Sequence, residues 1–248
     1  MKITYIHQYF NTEDMPGGSR SFEFAKRLVK MGHEVNMITS WRDPHKEKKW
    51  IKTKEHGINV YWLPLAYSNY LSFSQRILAF VKFAWSSGIK ASQIESDIIY
   101  ATSTPLTIAL PAIYASKKNK IPMVFEVRDL WPQIPIALKV LKNPLLKYFA
   151  NILESLAYAN AKSIIALSPT MKKEIVSKNI LPCYIGVIPN SSDIEGLKHN
   201  SDLGKKFRQE RSWIKDEPLL VYAGTFGKVN NLQYAIRLSK ALKDQKSK

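Results

Sequence analysis

Residues 2–39 contain KITYIHQ (Lys2–Gln8), SRSFEFAKRLVKM (Ser19–Met31) and EVNMIT (Glu34–Thr39). The first stretch has the length and apolar content of a short buried strand. The second places Phe22, Ala25, Leu28 and Val29 at the spacing of one helical face, the periodicity of a helix packed on its apolar side. Gly32 supplies the C-cap, because glycine tolerates the left-handed backbone that ends a helix. The third stretch, with its Val and Ile, begins a second strand. Strand, helix and strand in that order form a β-α-β unit.

The alternation continues. Ile58–Leu63, Asp97–Ala101, Pro122–Glu126, Ser163–Leu167 and Tyr184–Ile188 read as further strands, with helical segments between most of them. This pattern implies an α/β fold, a mostly parallel sheet with helices on both faces. Ligands of such sheets bind beyond the carboxyl ends of the strands, so the loops after each strand are where functional residues are sought. Pro189 and Asn190 close the seventh strand, and the polar, charge-mixed stretch Ser191–Glu217 reads as a crossover. It separates a first domain over 1–190 from a second segment over 191–248. In the second, Leu219–Ala223 reads as a strand, Gly224–Asn231 as a glycine-containing loop and Leu232–Leu242 as an amphipathic helix. One β-α unit cannot bury both faces of its strand. That strand therefore either begins a second sheet or pairs with the edge of the first.

The formal net charge of +17, from 37 Lys and Arg against 20 Asp and Glu, sets a positive field over the surface whose natural partners are polyanions. Charge alone fits nucleic acid, an anionic membrane surface or a phosphate-bearing substrate. No helix-turn-helix, zinc-finger or RNA-recognition signature accompanies it, which argues against nucleic acid. The first strand is not followed by Gly-x-Gly-x-x-Gly, which argues against a nicotinamide-dependent oxidoreductase. Cys183 is the single cysteine, and Met1–Phe10 lacks the pattern of a secretory signal; both point to a reducing cytosol. The longest apolar run, Ile77–Trp85, contains Lys82 and is far shorter than the ~20 residues of a spanning helix. His, Cys and Asp are not grouped as a zinc site requires, so no metal and no cofactor are expected.

Several short segments occur in order: Gly17-Gly18, GHEV (Gly32–Val35), FEVRDLWP (Phe125–Pro132), LSPTM (Leu167–Met171), VIPNSSD (Val187–Asp193) and VYAGTFG (Val221–Gly227). Together, in this order and spacing, they resemble glycosyltransferase family 4, and FEVRDLWP resembles its bacterial surface-polysaccharide branch, including the fucosamine transferases of O-antigen synthesis. The resemblance implies a GT-B fold, two facing Rossmann-like domains with the acceptor on the N-terminal one and a nucleotide-sugar on the C-terminal one. It implies metal-independent transfer of a sugar, N-acetyl-L-fucosamine by the similarity, from a UDP-type donor to a polyprenyl-diphosphate-linked saccharide. The location it implies is the inner face of the cytoplasmic membrane. In such relatives the glutamate pair that grips the donor falls beyond the last residue here, so the chain alone is expected to be inactive, an acceptor-side half with the first β-α unit of the second. An inactive membrane-surface or partner-binding module is the alternative expectation.

The candidate residues follow from these two lines. The loop Asn11–Gly18 enters the first helix, so its amides and the helix dipole suit a diphosphate. The resemblance places Gly17 and Gly18 against the donor diphosphate. Arg20 adds charge there or is merely solvated. Arg128 and Asp129 follow the fifth strand of this reading, with Trp131 and Pro132 stiffening the loop. Relatives place His-Asp where this chain has Arg-Asp, and an Arg cannot act as a base. Asp129, or Glu126 if it does not pair with Arg128, is left to orient or deprotonate an acceptor hydroxyl; a structural Glu-Arg-Asp network is the other reading. Ser103 and Thr104 either touch an acceptor sugar, as Trp131 would, or cap the helix from Pro105. Gly224 and Lys228 belong to a second donor-diphosphate loop. Phe73, Arg76, Phe80, Lys82, Phe83 and Trp85 lie in an aromatic, basic segment suited either to a lipid headgroup boundary or to packing on the sheet. The basic cluster Arg42–Lys54 reads as a solvated loop or a phospholipid contact.

Overall fold

The computed structural model describes all residues except 44–46, 48, 69–70, 195, 197, 215–217, 225–229 and 247–248. The chain divides into two compact units, Met1–Asp193 and Ile194–Lys248. The first contains β1 (Lys2–Ile6), α1 (Arg20–Lys30), β2 (Glu34–Trp41), β3 (Ile51–Glu55), β4 (Ile58–Pro64), α2 (Phe73–Gln93) and β5 (Ile98–Thr102). It continues with α3 (Ala109–Asn119), β6 (Met123–Val127), α4 (Gln133–Ala137), α5 (Pro144–Asn160), β7 (Ser163–Ala166), α6 (Pro169–Val176) and β8 (Ile185–Val187).

The eight strands form one sheet in the order β3-β4-β2-β1-β5-β6-β7-β8. Every pairing is parallel except β3 with β4. Successive side chains of a strand point to opposite faces, and the two cores follow that alternation. Ile6, Ile99, Ala101 and Phe125 join α2, α3 and α5 in one core, whereas Ile3, Tyr5 and Tyr100 join Phe22 and Ala25 of α1 in the other. This is the Rossmann-like α/β sheet expected from the alternation of elements. Helix α1 ends in a Schellman motif, with Gly32 at φ +86° and the His33 and Gly32 N–H groups donating to Leu28 and Val29 carbonyls.

Two expectations are corrected. Ile51–Glu55, part of the supposed basic loop, is an antiparallel edge strand; Lys52 and Lys54 are exposed while Trp62 Nε1 donates to Thr53 Oγ1 at 2.8 Å. Outward lysines are a usual way to blunt an edge strand. Leu219–Ala223, read as a strand from the sequence, is irregular and exposed among the described residues, with Leu220 84% accessible. An extended segment without a laterally paired neighbour leaves its backbone groups to water. The second unit otherwise contains α7 (Ser201–Gln209), N-capped by Asn200, and α8 (Gln233–Lys246).

Candidate functional site at the carboxyl ends of β1, β5 and β6

The parallel strands β1, β5 and β6 are neighbours, so the segments leaving them converge at one end of the sheet. After β1 the chain runs through His7 to the glycine loop. Asn11 is 3% exposed; its Nδ2 donates to Gly18 O at 3.4 Å and its Oδ1 accepts from Arg42. Gly17 has φ +133°, and a Cβ there would overlap Asn11 Nδ2. Gly18 is different. A Cβ at Gly18 has room, with Arg128 Nη2 as its nearest neighbour at 4.0 Å. Gly17 is thus required by the loop's own geometry, and Gly18 keeps open a space beneath the Arg128 guanidinium.

Arg20, the first residue of α1, is committed. Its Nε and Nη2 donate to Glu126 Oε1 at 3.0 and 2.6 Å, Nη1 donates to Pro189 O and Nη2 to Ile188 O. It ties the start of α1 to the ends of β6 and β8 rather than presenting its charge to an open loop. Glu126 is 1% exposed, pairs with Arg20 and not Arg128, and its Oε2 accepts from Thr102 Oγ1 at 2.8 Å. Thr102 Oγ1 also lies 3.0 Å from Tyr5 Oη. With the Thr102 hydrogen on Glu126, Tyr5 donates to Thr102. Burial holds the Tyr5 phenol above its ordinary pKa, reinforced by the Glu126 carboxylate, so this donor keeps its proton.

The loops after β5 and β6 lock together. Arg128 N donates to Ser103 Oγ at 2.9 Å, Ser103 N donates to Glu126 O, and Thr104 Oγ1 donates to Asp129 Oδ2 at 3.0 Å. Thr104 has φ +117°, an unfavourable backbone for a β-branched residue that costs about 1–3 kcal/mol and is maintained only by surrounding structure. Ser103 is 2% exposed and anchors Arg128; neither it nor Thr104 caps the following helical turn. Trp131 is half-buried against the core. Asp129 is exposed, and the Arg128 guanidinium makes no ion pair or hydrogen bond among the described residues.

Sequence reasoning missed His7, Asn11 and Arg42. His7 is 2% exposed, with Nδ1 2.7 Å from Ser21 Oγ. Burial, then the positive charges of Arg128 and Arg42, push its pKa from 6.5 down to about 3. Between those values the unfolded chain binds a proton that the folded chain refuses. The His7 contribution to stability is therefore complete above about pH 6.5 and is lost as pH falls toward 3. We expect the stability of His7→Asn to depend less on pH across this window, by up to about 1.4 kcal/mol per pH unit; urea unfolding at several pH values tests it, and identical slopes would refute it. Beside the same loop, Phe10, Met15, Trp41, Arg42, Trp62 and Tyr67 line an open cavity of about 240 Å³.

The remaining candidates lie elsewhere. Gly224 is exposed in the second unit, and Lys228 falls outside the described residues. On α2, Phe83 is 1% exposed and belongs to the core, which corrects its assignment as a membrane contact; Phe80 stacks on Tyr67 with centroids 5.7 Å apart. Arg76 is half-buried, Lys82 is exposed and Trp85 is 75% exposed. The Phe73 side chain is outside the description.

The chain's likeness to known proteins agrees with this fold. A family profile described as Glycosyltransferase Family 4 matches residues 18–195; the chain belongs to that family. Among solved structures it is similar to sucrose-phosphate synthase from Thermosynechococcus elongatus (TM-score 0.64, 15% identity, 92% of this chain and 56% of that one). It is also similar to Anabaena HepE in complex with UDP and glucose (TM-score 0.52, 19% identity, 85% and 50%). A third is a glycosyltransferase from Rickettsia africae (TM-score 0.52, 15% identity, 88% and 51%). The chain spans about half the length of these proteins, and at such identities they share its fold alone. Comparison with curated protein sequences gives no match.

Proposed function

We propose that this chain supplies the acceptor-side half of a glycosyl transfer from a nucleotide-sugar to a polyprenyl-diphosphate-linked saccharide, in surface-polysaccharide synthesis on the cytoplasmic side of a membrane. N-acetyl-L-fucosamine is the proposed sugar and UDP the proposed carrier. The carrying observation is the unpaired Arg128 guanidinium above Gly18 at the carboxyl end of the sheet. HepE, whose structure holds UDP and glucose, supports a nucleotide-sugar donor.

In this reading the acceptor hydroxyl oxygen bonds to the anomeric carbon as the bond from that carbon to the diphosphate oxygen breaks. The nucleoside diphosphate leaves with the electron pair, and Asp129 orients the hydroxyl and takes its proton. Charge developing on the leaving oxygen is met by Arg128 and the Gly17–Gly18 amides. Transfer is metal-independent in this reading. Asp129 is held for its task by Thr104.

The two glycines separate structure from chemistry. Gly18→Ala is expected to fold with stability within about 0.5 kcal/mol of the parent while weakening UDP binding about tenfold, by intruding beneath Arg128. Gly17→Ala is expected to cost more than the ~1 kcal/mol typical of an incompatible backbone, because it meets Asn11 as well. Calorimetric titration of the whole protein with UDP, alongside thermal melts, checks both, and undiminished UDP binding by Gly18→Ala refutes the diphosphate assignment.

A further inference from the structure

Helices α2, α3 and α5 cover one face of the sheet, and each turns an apolar side inward: Phe83 and Ala84, then Ala109 and Ala112, then Ala157 and Tyr158. The outward sides of such helices are ordinarily polar. Here they are not. Leu78, Val81 and Trp85 of α2 are 67%, 54% and 75% exposed, Tyr114 of α3 is 47% exposed, and Tyr148 and Phe149 of α5 are 62% and 56% exposed. Between α3 and α5 lies an open hollow of about 590 Å³ lined by Tyr114, Leu156, Lys117 and Lys118 among others.

The charges on the three helices have one sign. They carry Arg76, Lys82, Lys90, Lys117, Lys118 and Lys147, and a single carboxylate, Glu154. Glu154 is 2% exposed and bonded to Lys178 and to Tyr158 Oη, so no carboxylate faces water from these helices. Lys118 lies over the Tyr114 ring, 5.6 Å from its centroid, and its ammonium donates to Ser92 Oγ at 3.2 Å, holding a positive charge at the rim of the hollow.

We infer that the outward face of α2, α3 and α5 docks on an anionic lipid bilayer, with Trp85, Tyr114, Tyr148 and Phe149 entering the headgroup boundary and the lysines meeting lipid phosphates. Exposed aromatics with lysines and no acids match that boundary, whereas a protein partner's patch is depleted of charge at its centre. No helix among the described residues is long and apolar enough to cross a membrane, so the contact lies along the surface. The inference is independent of the transfer reading and needs no substrate for its test.

The test is sedimentation of the chain with vesicles containing phosphatidylglycerol and with vesicles of phosphatidylcholine alone, at low and high salt. Binding to the anionic vesicles, weakened by salt, is the expected result. Lys82→Glu/Lys117→Glu/Lys147→Glu is expected to lower affinity by roughly fivefold or more per lysine. Lys26→Glu/Lys30→Glu, the same charge change on α1, which packs on the other face of the sheet, is expected to cost much less per lysine. Trp85→Ser/Tyr148→Ser, at exposed positions and with an unchanged melting temperature, is expected to cost about tenfold or more. The inference is overturned by absence of binding to anionic vesicles, by equal losses per lysine in the two lysine sets, or by full binding of the aromatic variant. A lipid-free dimer dispersed by Trp85→Ser/Tyr148→Ser would give the face to a second copy and overturn it as well.

Discussion

Arg128→Ala is expected to lower sugar transfer by the whole protein about a hundred- to a thousandfold, the effect of removing a fixed donor from a developing negative charge. The change should fall on kcat more than on KM, since the charge on the leaving oxygen is larger in the transition state than in the bound donor. Stability should move by less than about 0.5 kcal/mol, because the guanidinium makes no ion pair or hydrogen bond among the described residues and only the Arg128 backbone N–H holds the loop, through Ser103. Arg128→Lys should recover part of the rate, keeping a positive charge without the planar fork. Full transfer by Arg128→Ala would falsify the role proposed for it.

Arg20→Ala is expected to have the opposite signature, a loss of about 3–5 kcal/mol of stability from stranding a buried carboxylate. The Arg20 side chain is 15% exposed and that of Glu126 2%, so without the guanidinium Glu126 keeps neutral partners such as Thr102 but loses its counter-charge. Glu126→Gln should cost less than Arg20→Ala. The amide still bonds Thr102, and the guanidinium left behind retains the Pro189 and Ile188 carbonyls and some water. Urea unfolding of the two variants measures the asymmetry; equal costs, or a loss below about 1 kcal/mol in Arg20→Ala, would show that the pair is not the clasp between α1, β6 and β8.

These contrasts bear on how much the sequence revealed. The parallel strands were legible because a strand covered by helices on both faces must be almost continuously apolar, as in Ile98–Ala101 of β5. Strand β3 was not, since two of its five side chains, both lysines, face water. The legible signal was the two-residue turn His56-Gly57, with φ 48° and 86°, joining Ile51–Glu55 to Ile58–Pro64; consecutive positive φ values are the mark of a tight hairpin. On α2 the apolar content was plain, but the side facing the core was not: Phe83 and Trp85 are two residues apart, and one is buried while the other is 75% exposed. A helix apolar on most sides carries no periodic signal for its buried stripe.

The order of elements and the parallel sheet were written in local patterns, in runs of a few residues whose spacing reflects the backbone's own geometry. Partnership was not. Arg20 and Glu126 are 106 residues apart, and nothing near either tells whether the guanidinium meets a carboxylate, a phosphate or water. Folding commits Arg20 to a buried acid and leaves the Arg128 guanidinium near Gly18 without an ion pair among the described residues, because the energy of a charge depends on which opposite charges and how much water the assembled chain places around it.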